Sequence, residues 1–205
     1  MSLVRRTPDQ TRHCILVAAW DLFRQVGFRK TTMADIAAAL GMSSANIYRF
    51  FPSKDALTEA ICRNQLDLLV EAARTAAMEP GGAGERINAV LMTLYRNLRD
   101  QMTNHKRVYE VVTVALEEEW PAIDEFLDAC KAILAGLVAQ GQASGEFGPG
   151  DAAALGEMTM AASAAIHHPT LIAHCSGDVE AEAVVGFALR ALANKNPPAA
   201  LQSSE

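Results

Sequence analysis

The sequence has 205 residues, half of them apolar and a fifth charged, with a net charge of −6 at pH 7. This composition is typical of globular domains and excludes an intrinsically disordered chain. No apolar run approaches the roughly eighteen residues of a membrane span, and residues 1–10 lack the apolar segment of a secretory signal, so we expect a cytoplasmic protein with no membrane partner.

Charge is distributed unevenly along the chain. Residues 1–60 contain eight Lys or Arg and five Asp or Glu, whereas residues 61–205 contain ten and nineteen. A basic N-terminal segment attached to an acidic body favours contact between that segment and a polyanion.

The first two predicted helices are joined by a short connection. The first covers residues 8–26, with apolar residues repeating along one face, and Gly27 ends it. The second begins at Thr32, whose spacing to Asp35 matches a capping box, and it ends before Gly41. Because strand patterns are scarce throughout, the sequence predicts an all-α chain of about nine helices.

The third predicted helix is short and the fourth is long. Ser43 or Ser44 can cap the third helix, and Pro52 terminates it. Ser53 caps the fourth helix, which covers about residues 54–78.

The Gly-rich segment at residues 79–84, EPGGAG, is the clearest break after these helices. Beyond it, helices are predicted at about residues 85–102, 105–118, 121–144, 151–168 and 178–194. We therefore predict an N-terminal three-helix helix-turn-helix domain at residues 1–55 and a helical-bundle domain at residues 56–205.

Between Thr31 and Leu57, two short helices and a turn that contains Gly41 follow the helix-turn-helix plan. The third-helix residues left outside this packing are small at the start of the helix and aromatic or basic beyond it. Such a distribution is typical of a recognition helix in the major groove of DNA. These residues are Ser44, Ala45, Asn46, Tyr48, Arg49 and Phe50.

Individual side chains of this segment suit particular groups of DNA. Asn46 can form a bidentate pair with adenine, and Arg49 can bond guanine or a phosphate. Tyr48 can donate its hydroxyl to a phosphate. Lys54, at the start of the fourth helix, offers both its charge and a helix N-terminus to a phosphate. We expect Phe51 to turn into the core.

The stretch GFRKTTMADIAAALGMSSANIYRFFPSKDALTEAI resembles the N-terminal DNA-binding domain of the tetracycline-repressor (TetR) family. The residues that fit the family pattern are Gly27, Thr31, Thr32, Ile36, Ala37, Gly41, Ser43, Tyr48, Phe51, Lys54 and Leu57. The resemblance covers about residues 9–60, and the rest of the chain agrees with the family in being helical and of suitable length.

The resemblance implies a homodimeric repressor that binds a double-stranded DNA operator and carries a C-terminal domain for a small-molecule effector. It implies DNA contacts at Thr31, Thr32, Ser44, Ala45, Asn46, Tyr48, Arg49 and Lys54. Relatives often have His or another polar residue at the position of Phe50, so here stacking or a thymine-methyl contact replaces a phosphate bond. We expect no enzymatic activity, no cofactor and no metal.

Apolar stripes on the middle helices can line a pocket for an effector, because binding sites are mostly apolar with a few polar groups. The alternative is that the same stripes form a filled core. The candidate pocket residues are Leu94, Tyr95, Leu98, Tyr109, Thr113, Phe126, Cys130, Met158 and Ala162. His167 is the candidate for a hydrogen bond to the ligand.

The last two predicted helices are poor in charge and rich in small residues, which allow helices to approach closely across a two-fold axis. We predict that they form a four-helix isologous dimer interface; the alternative is that this face serves the core of one chain. The predicted interface residues are Leu155, Thr159, Ile166, Val184, Val185, Ala188 and Leu192.

Two other clusters suggest chemistry but have simpler interpretations. His167, His168 and His174 lie near Cys175, yet adjacent helical residues point about 100° apart, so we interpret them as polar or interface histidines. The acidic segment at residues 116–126 contains paired carboxylates without a nucleophile or metal partner, which a solvated helix junction explains.

The four cysteines, Cys14, Cys62, Cys130 and Cys175, are far apart and form no CxxC pattern. Reduced thiols are therefore the expected state, although a disulfide stays open.

The mechanism that follows is geometric. A dimer presents two recognition helices to successive major-groove turns of a near-palindromic operator. A ligand that pivots the fourth helix would move them out of register, so ligand and DNA would weaken each other's binding by the same factor. Two alternatives stay open: a helical enzyme or small-molecule-binding protein without a DNA role, and a DNA-binding protein without an effector.

Overall fold

The computed structural model describes residues 7–104, 109–172 and 174–193. In this part of the chain there are eleven helices and one isolated bridge, between Phe147 and Ala193, so the predicted all-α class is confirmed. The helices are α1 (Pro8–Gln25), α2 (Met33–Ala39), α3 (Ser44–Tyr48), α4 (Lys54–Ala76), α5 (Ala83–Asn104), α6 (Tyr109–Glu117), α7 (Pro121–Ser144), α8 (Ala152–Ala162), α9 (Ala164–His167), α10 (Pro169–Ile172) and α11 (Asp178–Leu192).

Helix starts coincide with the predicted ones where a polar side chain caps the first turn. Ser53 Oγ accepts the N–H of Ala56 at 3.0 Å, at the start of α4. Asp151 Oδ1 accepts the N–H of Ala153 at 2.8 Å, at the start of α8. These caps satisfy N–H groups that have no partner within the helix.

The continuous helix predicted towards His168 is wrong beyond Ala162, where the chain breaks into α8, α9 and α10. The buried hydroxyl of Ser163 donates to the carbonyls of Thr159 at 3.0 Å and Met160 at 2.9 Å. Serine hydroxyls that bond back to the preceding turn bend helices, and Pro169 cannot continue one.

Two predicted helix ends fall on residues that the structure does not describe. The predicted start of the sixth helix includes residues 105–108, which lie outside the described part of the chain, and α6 begins at Tyr109 within it. The predicted last helix extends to Asn194, which also lies outside the described residues, and α11 ends at Leu192.

The chain forms two compact units. The first comprises Met1–Leu66 and Asn104–Ile123, and the second comprises Asp67–Thr103 and Asp124–Glu205. The first unit thus contains the predicted domain at residues 1–55 together with the beginning of α4 and all of α6.

The core of the first unit joins α1–α4 to α6. Its fully buried members include Ile15, Phe23, Ile36, Ile47, Phe51, Leu57 and Ala115. The ring of Phe23 meets that of Phe28 edge to face, with centroids 5.4 Å apart. Aromatic and β-branched side chains at this density hold three short helices that would be marginal in isolation.

In the second unit, α5 begins at a carboxylate from a distant part of the sequence. Glu146 accepts the N–H of Ala83 through Oε2 and that of Gly84 through Oε1, both at 2.7 Å. A negative charge at this helix end also complements the helix dipole.

Helices α7 and α8 approach each other at a glycine. A Cβ added to Gly156 would lie 2.6 Å from the backbone nitrogen of Ala135, a distance that the helices cannot accommodate without moving apart. By contrast, a Cβ at Gly136, also within α7, would meet nothing within 4 Å.

These two glycines give a matched prediction. We expect Gly156→Ala to lower the free energy of unfolding by about 1–3 kcal/mol through overpacking. We expect Gly136→Ala to raise it by roughly 0.5–1 kcal/mol, because alanine loses less conformational entropy in a helix. Urea unfolding of the two variants measures both values, and equal effects would contradict the close α7–α8 approach.

Candidate functional site

Helix α2 begins with the predicted capping box. Thr32 Oγ1 accepts the N–H of Asp35 at 3.2 Å, and Asp35 Oδ2 accepts the N–H of Thr32 at 2.8 Å and its hydroxyl at 2.7 Å. The side-chain and backbone hydrogen bonds from Thr32 lower the pKa of Asp35 below its usual value. The carboxylate form is therefore part of the folded turn.

The turn between α2 and α3 has a hydrogen-bond pattern that glycine permits. Gly41 has a φ of +63°, which side chains rarely adopt, and its N–H donates to the carbonyl of Ala38 at 3.1 Å. The N–H of Met42 donates to the carbonyl of Ala37 at 2.9 Å. This is a Schellman motif, and it fixes where the chain leaves α2.

Helix α3 has only five residues and is capped by Ser43, whose Oγ accepts the N–H of Asn46 at 3.3 Å. Ile47 is fully buried in the core of the first unit. The side chains on the outer side of α3 and its C-cap differ in exposure: Ala45, Tyr48 and Arg49 are exposed, whereas Ser44 and Asn46 are half-buried.

The two phenylalanines after α3 lie in different environments. Phe51 is buried, as predicted, and Phe50 is half-buried against the same core. Because packing already covers part of Phe50, the contact predicted for it with DNA has only the remaining surface available.

Thr31 and Lys54 are engaged within the chain. Thr31 is buried, with 2% of its surface exposed, and its hydroxyl donates to the carbonyl of Gly27 at 2.9 Å. The Lys54 ammonium donates to the carbonyl of Phe28 at 2.5 Å and lies 4.4 Å from the centroid of its ring. Partial burial lowers the pKa of Lys54. Burial favours a structural role for Thr31, whereas Lys54 is held in place with its charge beside Phe28.

The capping box of Thr32 and Asp35 predicts that the stability of the protein depends on pH. Because folding lowers the pKa of Asp35, its contribution to stability is present above the unfolded value of 3.8 and is lost as pH falls through the folded value. We expect Thr32→Ala to destabilise the protein by about 0.5–2 kcal/mol at pH 7, and the difference from wild type to shrink as the pH falls below 3.8. Thr75→Ala, an exposed threonine within α4, is the control. Thermal unfolding between pH 2 and pH 7 measures this, and a constant difference would argue against it.

The predicted pocket residues are divided between the two units. Leu94, Tyr95, Phe126 and Cys130, in the second unit, are buried, and Leu98 there is half-buried. Thr113, half-buried, belongs to the first unit. The side chain of Tyr109 lies outside the described part of the structure. Met158 is 64% exposed and Ala162 is exposed, so these two do not line an interior.

Tyr95 is buried with its hydroxyl in a polar cluster. The hydroxyl accepts a hydrogen bond from Arg99 Nη1 at 2.6 Å, and Cys175 Sγ lies 3.6 Å from it. Arg99 also pairs with Asp178 at 3.7 Å, and Arg96 pairs with the same carboxylate at 3.1 Å. Burial raises the pKa of Tyr95 above its usual value. The cluster joins α5 to the start of α11.

His167 is buried, and both ring nitrogens face main-chain carbonyls. Nδ1 lies 3.0 Å from the carbonyl of Ser163, and Nε2 lies 2.9 Å from that of Leu91. Burial lowers the pKa of His167, although both carbonyls oppose this shift. Because both ring nitrogens lie against main-chain carbonyls, the structure places His167 between α9 and α5, and the neutral ring donates to one of the two carbonyls.

Burial also corrects the placement of the predicted dimer residues. Five of them lie inside the core of a single chain and have almost no surface left for a partner: Thr159, Ile166, Val185, Ala188 and Leu192. Leu155 and Val184 are half-buried. The exposed large apolar side chains on α8 and α11 are instead Met158, Val179 and Phe187.

Metal ligation, the cysteines and membrane spans are considered together. Among the described residues, no group of three or more His, Cys, Asp or Glu side chains is arranged to hold a metal ion. All four cysteines are free, and burial raises the pKa of Cys62 to about 11 and that of Cys130 to about 12. Within the same residues, no helix combines the length and apolarity needed to cross a membrane.

One residue beside α3, Arg12, is absent from the predicted site residues. The guanidinium of Arg12, on α1, donates to the carbonyl of Phe50 at 3.2 Å and lies 4.2 Å from the ring centroid of Phe51. These partners are 38 and 39 positions away, so helical periodicity carried no signal for the contact.

Known proteins are similar in sequence to stretches of this chain. The HTH-type transcriptional regulator RutR of Escherichia coli K12 is 41% identical over 63 residues, which are 31% of this chain and 30% of RutR. The chain thus matches less than a third of that relative. The HTH-type transcriptional repressor KstR2 of Rhodococcus jostii RHA1 is 27% identical over 135 residues, 65% of this chain and 66% of KstR2.

A solved structure has the same fold. The transcriptional regulator of the TetR/AcrR family from Thermobifida fusca YX-ER1 is 27% identical, with a TM-score of 0.60, over 90% of this chain and 97% of that one. Residues 15–61 match the bacterial regulatory proteins of the tetR family, and residues 83–185 match the tetracyclin repressor-like C-terminal domain. Since the second match alone spans half of the sequence, the chain belongs to the TetR family of bacterial regulatory proteins.

Proposed function

We propose that this protein is a dimeric transcription regulator that binds a near-palindromic DNA operator and represses transcription until a small molecule releases it. The observation that carries the proposal is the geometry of α2 and α3: a capped helix, a Schellman turn at Gly41, and a short helix whose outer residues are small, amide-bearing or basic. Of the proteins that the chain resembles, RutR is named as an HTH-type transcriptional regulator and KstR2 as an HTH-type transcriptional repressor, which supports the proposal.

In this proposal α3 is the recognition helix. Asn46 pairs with adenine, and Arg49 bonds guanine or a phosphate. The short side chains of Ser44 and Ala45 let the backbone approach the groove, and Tyr48 donates to a phosphate.

Three further residues are proposed to support the operator contact from beside α3. Thr32, exposed at the start of α2, and Lys54 face phosphates. Thr31 is proposed to support this surface from within, since its hydroxyl is bonded to Gly27.

The test is selection of duplexes from a randomised pool by the purified protein, followed by titration of the selected duplex against salt. We expect a sequence with two related half-sites about one helical turn apart. Its affinity should exceed that of random duplex by roughly a thousandfold or more. Binding without selectivity, with only a steep salt dependence, would leave a merely electrostatic interaction and contradict the proposal.

The effector is proposed to bind the second unit, near Leu94, Tyr95, Leu98, Phe126 and Cys130. One observation favours the alternative of a regulator without an effector. Leu94 and Cys130 are completely buried within the single chain, as they would be in a filled core. Release of the selected duplex in a small-molecule screen decides between them. Helix α4 contributes residues to both units. It is therefore the proposed element through which a ligand acts on the helix-turn-helix domain.

The proposed role is regulatory and not catalytic, and it is exercised in the cytoplasm, where the operator is. Curated relatives are named as regulators, which supports this. A helical enzyme without a DNA role is the rival, and selective duplex binding would exclude it.

A further inference from the structure

The chain leaves α3 through a main-chain carbonyl that a distant side chain satisfies. The N–H groups of Phe50 and Phe51 both donate to the carbonyl of Ile47, at 2.9 and 3.0 Å. Pro52 follows and has no N–H to offer a neighbouring carbonyl. The carbonyl of Phe50 receives its hydrogen bond at 3.2 Å from Nη1 of Arg12, on α1.

The same guanidinium covers the ring of the next residue. It lies 4.2 Å from the ring centroid of Phe51, well within the distance of a cation–π contact. Phe51 is buried beside Ile47, the residue that anchors α3 in the core. A planar guanidinium stacks flat on a ring while it donates in its own plane, whereas an ammonium is a compact point charge without that plane.

We propose that Arg12 is a positioning residue for base recognition: it fixes the C-terminal end of α3 relative to α1 and so sets how Asn46 and Arg49 enter the groove. Arg12 holds two consecutive residues that directly follow Arg49, one through the main chain and one through the ring. This inference rests on the proposed function, since it concerns how the recognition helix is held.

Arg12→Lys is the decisive variant, because it keeps the positive charge and removes the planar, forked geometry. We expect it to weaken binding to the selected duplex by about tenfold, roughly the value of one base contact, and to leave binding to random duplex unchanged. The slope of log affinity against log salt should stay that of wild type. Arg12→Gln, whose planar amide can donate to the carbonyl of Phe50 without a charge, should retain part of the selectivity. Arg74→Lys, an exposed position in the second unit, is the control.

A second readout reports on α3 without DNA. In Arg12→Lys, the backbone amide resonances of residues 44–49 should shift, whereas those of α11 should not. Unchanged thermal unfolding of Arg12→Lys and Arg74→Lys would show that lost selectivity does not reflect an unfolded protein.

Two outcomes would overturn the inference. One is unchanged selectivity in both Arg12→Lys and Arg12→Gln. The other is that Arg12→Gln weakens selected and random duplexes equally and flattens the salt slope by about 0.9, which would make Arg12 a phosphate contact. Failure of the wild-type protein to select any duplex would instead contradict the proposed function, and with it any role for Arg12 in selectivity.

Discussion

Replacing Asn46 by Ala is expected to weaken binding to the selected duplex by about 5- to 150-fold, the ~1–3 kcal/mol of a bidentate contact to a base. Affinity for random duplex should not change, because a neutral amide contributes nothing to counterion release. Asn46 is half-buried and its N–H is bonded to Ser43, so the backbone of α3 survives the substitution. Filter binding to both duplexes measures the ratio.

Arg49→Ala separates the two roles open to that residue. Contact with guanine predicts a loss of affinity confined to the selected duplex. Contact with a phosphate predicts equal losses of affinity for both duplexes and a salt slope flatter by about 0.9.

Asn97→Ala, at an exposed asparagine of α5, is the matched control for Asn46→Ala. If Asn46→Ala retains full selectivity, α3 does not read bases at that position.

Features that depend on neighbouring residues were predictable from the sequence. The capping box of Thr32 and Asp35, the turn at Gly41 and the burial of Phe51 follow from local spacing, and the structure confirms each. In such places the chemistry that specifies the structure lies within a few positions. The start of α7 at Pro121 is of the same kind.

Features that depend on distant partners were not predictable. The engagement of Lys54 with Phe28 and of Arg12 with Phe50 joins residues 26 and 38 positions apart. The break of α8 was missed because Ser163 is compatible with a helix until its hydroxyl is buried against the preceding turn. Side-chain type alone cannot report such contacts.

On the last helices, the face predicted to meet a partner differs from the exposed face for another reason. Both sides of α8 and α11 carry apolar or small residues, so period alone could not tell the inner side from the outer one. Burial makes the distinction: Ile166 and Val185 are interior, whereas Met158 and Phe187 are 64% and 63% exposed. A contiguous exposed patch of large apolar side chains marks an interaction surface.

We therefore expect the dimer to form through the α8–α11 surface, defined by the exposed residues Met158, Ala162, Ala183 and Phe187. Residues four apart share one side of a helix, so Met158 lies beside Ala162 and Ala183 beside Phe187. Helices α8 and α11 pack together, and small residues beside each large one let a second copy approach closely. A two-fold axis would place the same surface on both partners.

Met158→Glu and Phe187→Glu should convert the dimer to a folded monomer, because two carboxylates would be buried at the interface without partners. A monomer carries one helix-turn-helix domain. Its affinity for the two-half-site duplex should fall by about 100-fold or more, since binding to the second half-site is no longer intramolecular. Light scattering gives the mass, and filter binding gives the affinity. Met78→Glu, at a methionine that is 83% exposed beyond α4, should leave both unchanged.

Glu substitutions at the interface residues predicted from the sequence should have a different effect from those at the exposed positions. Val185 and Ala188 are buried in one chain, so Glu at either position should unfold the monomer rather than separate two folded ones. Met158→Glu that remains dimeric, with operator affinity intact, would place the two-fold axis elsewhere on the chain. A monomer with undiminished operator affinity would show that one helix-turn-helix domain suffices for binding. The requirement for two half-sites would then be contradicted.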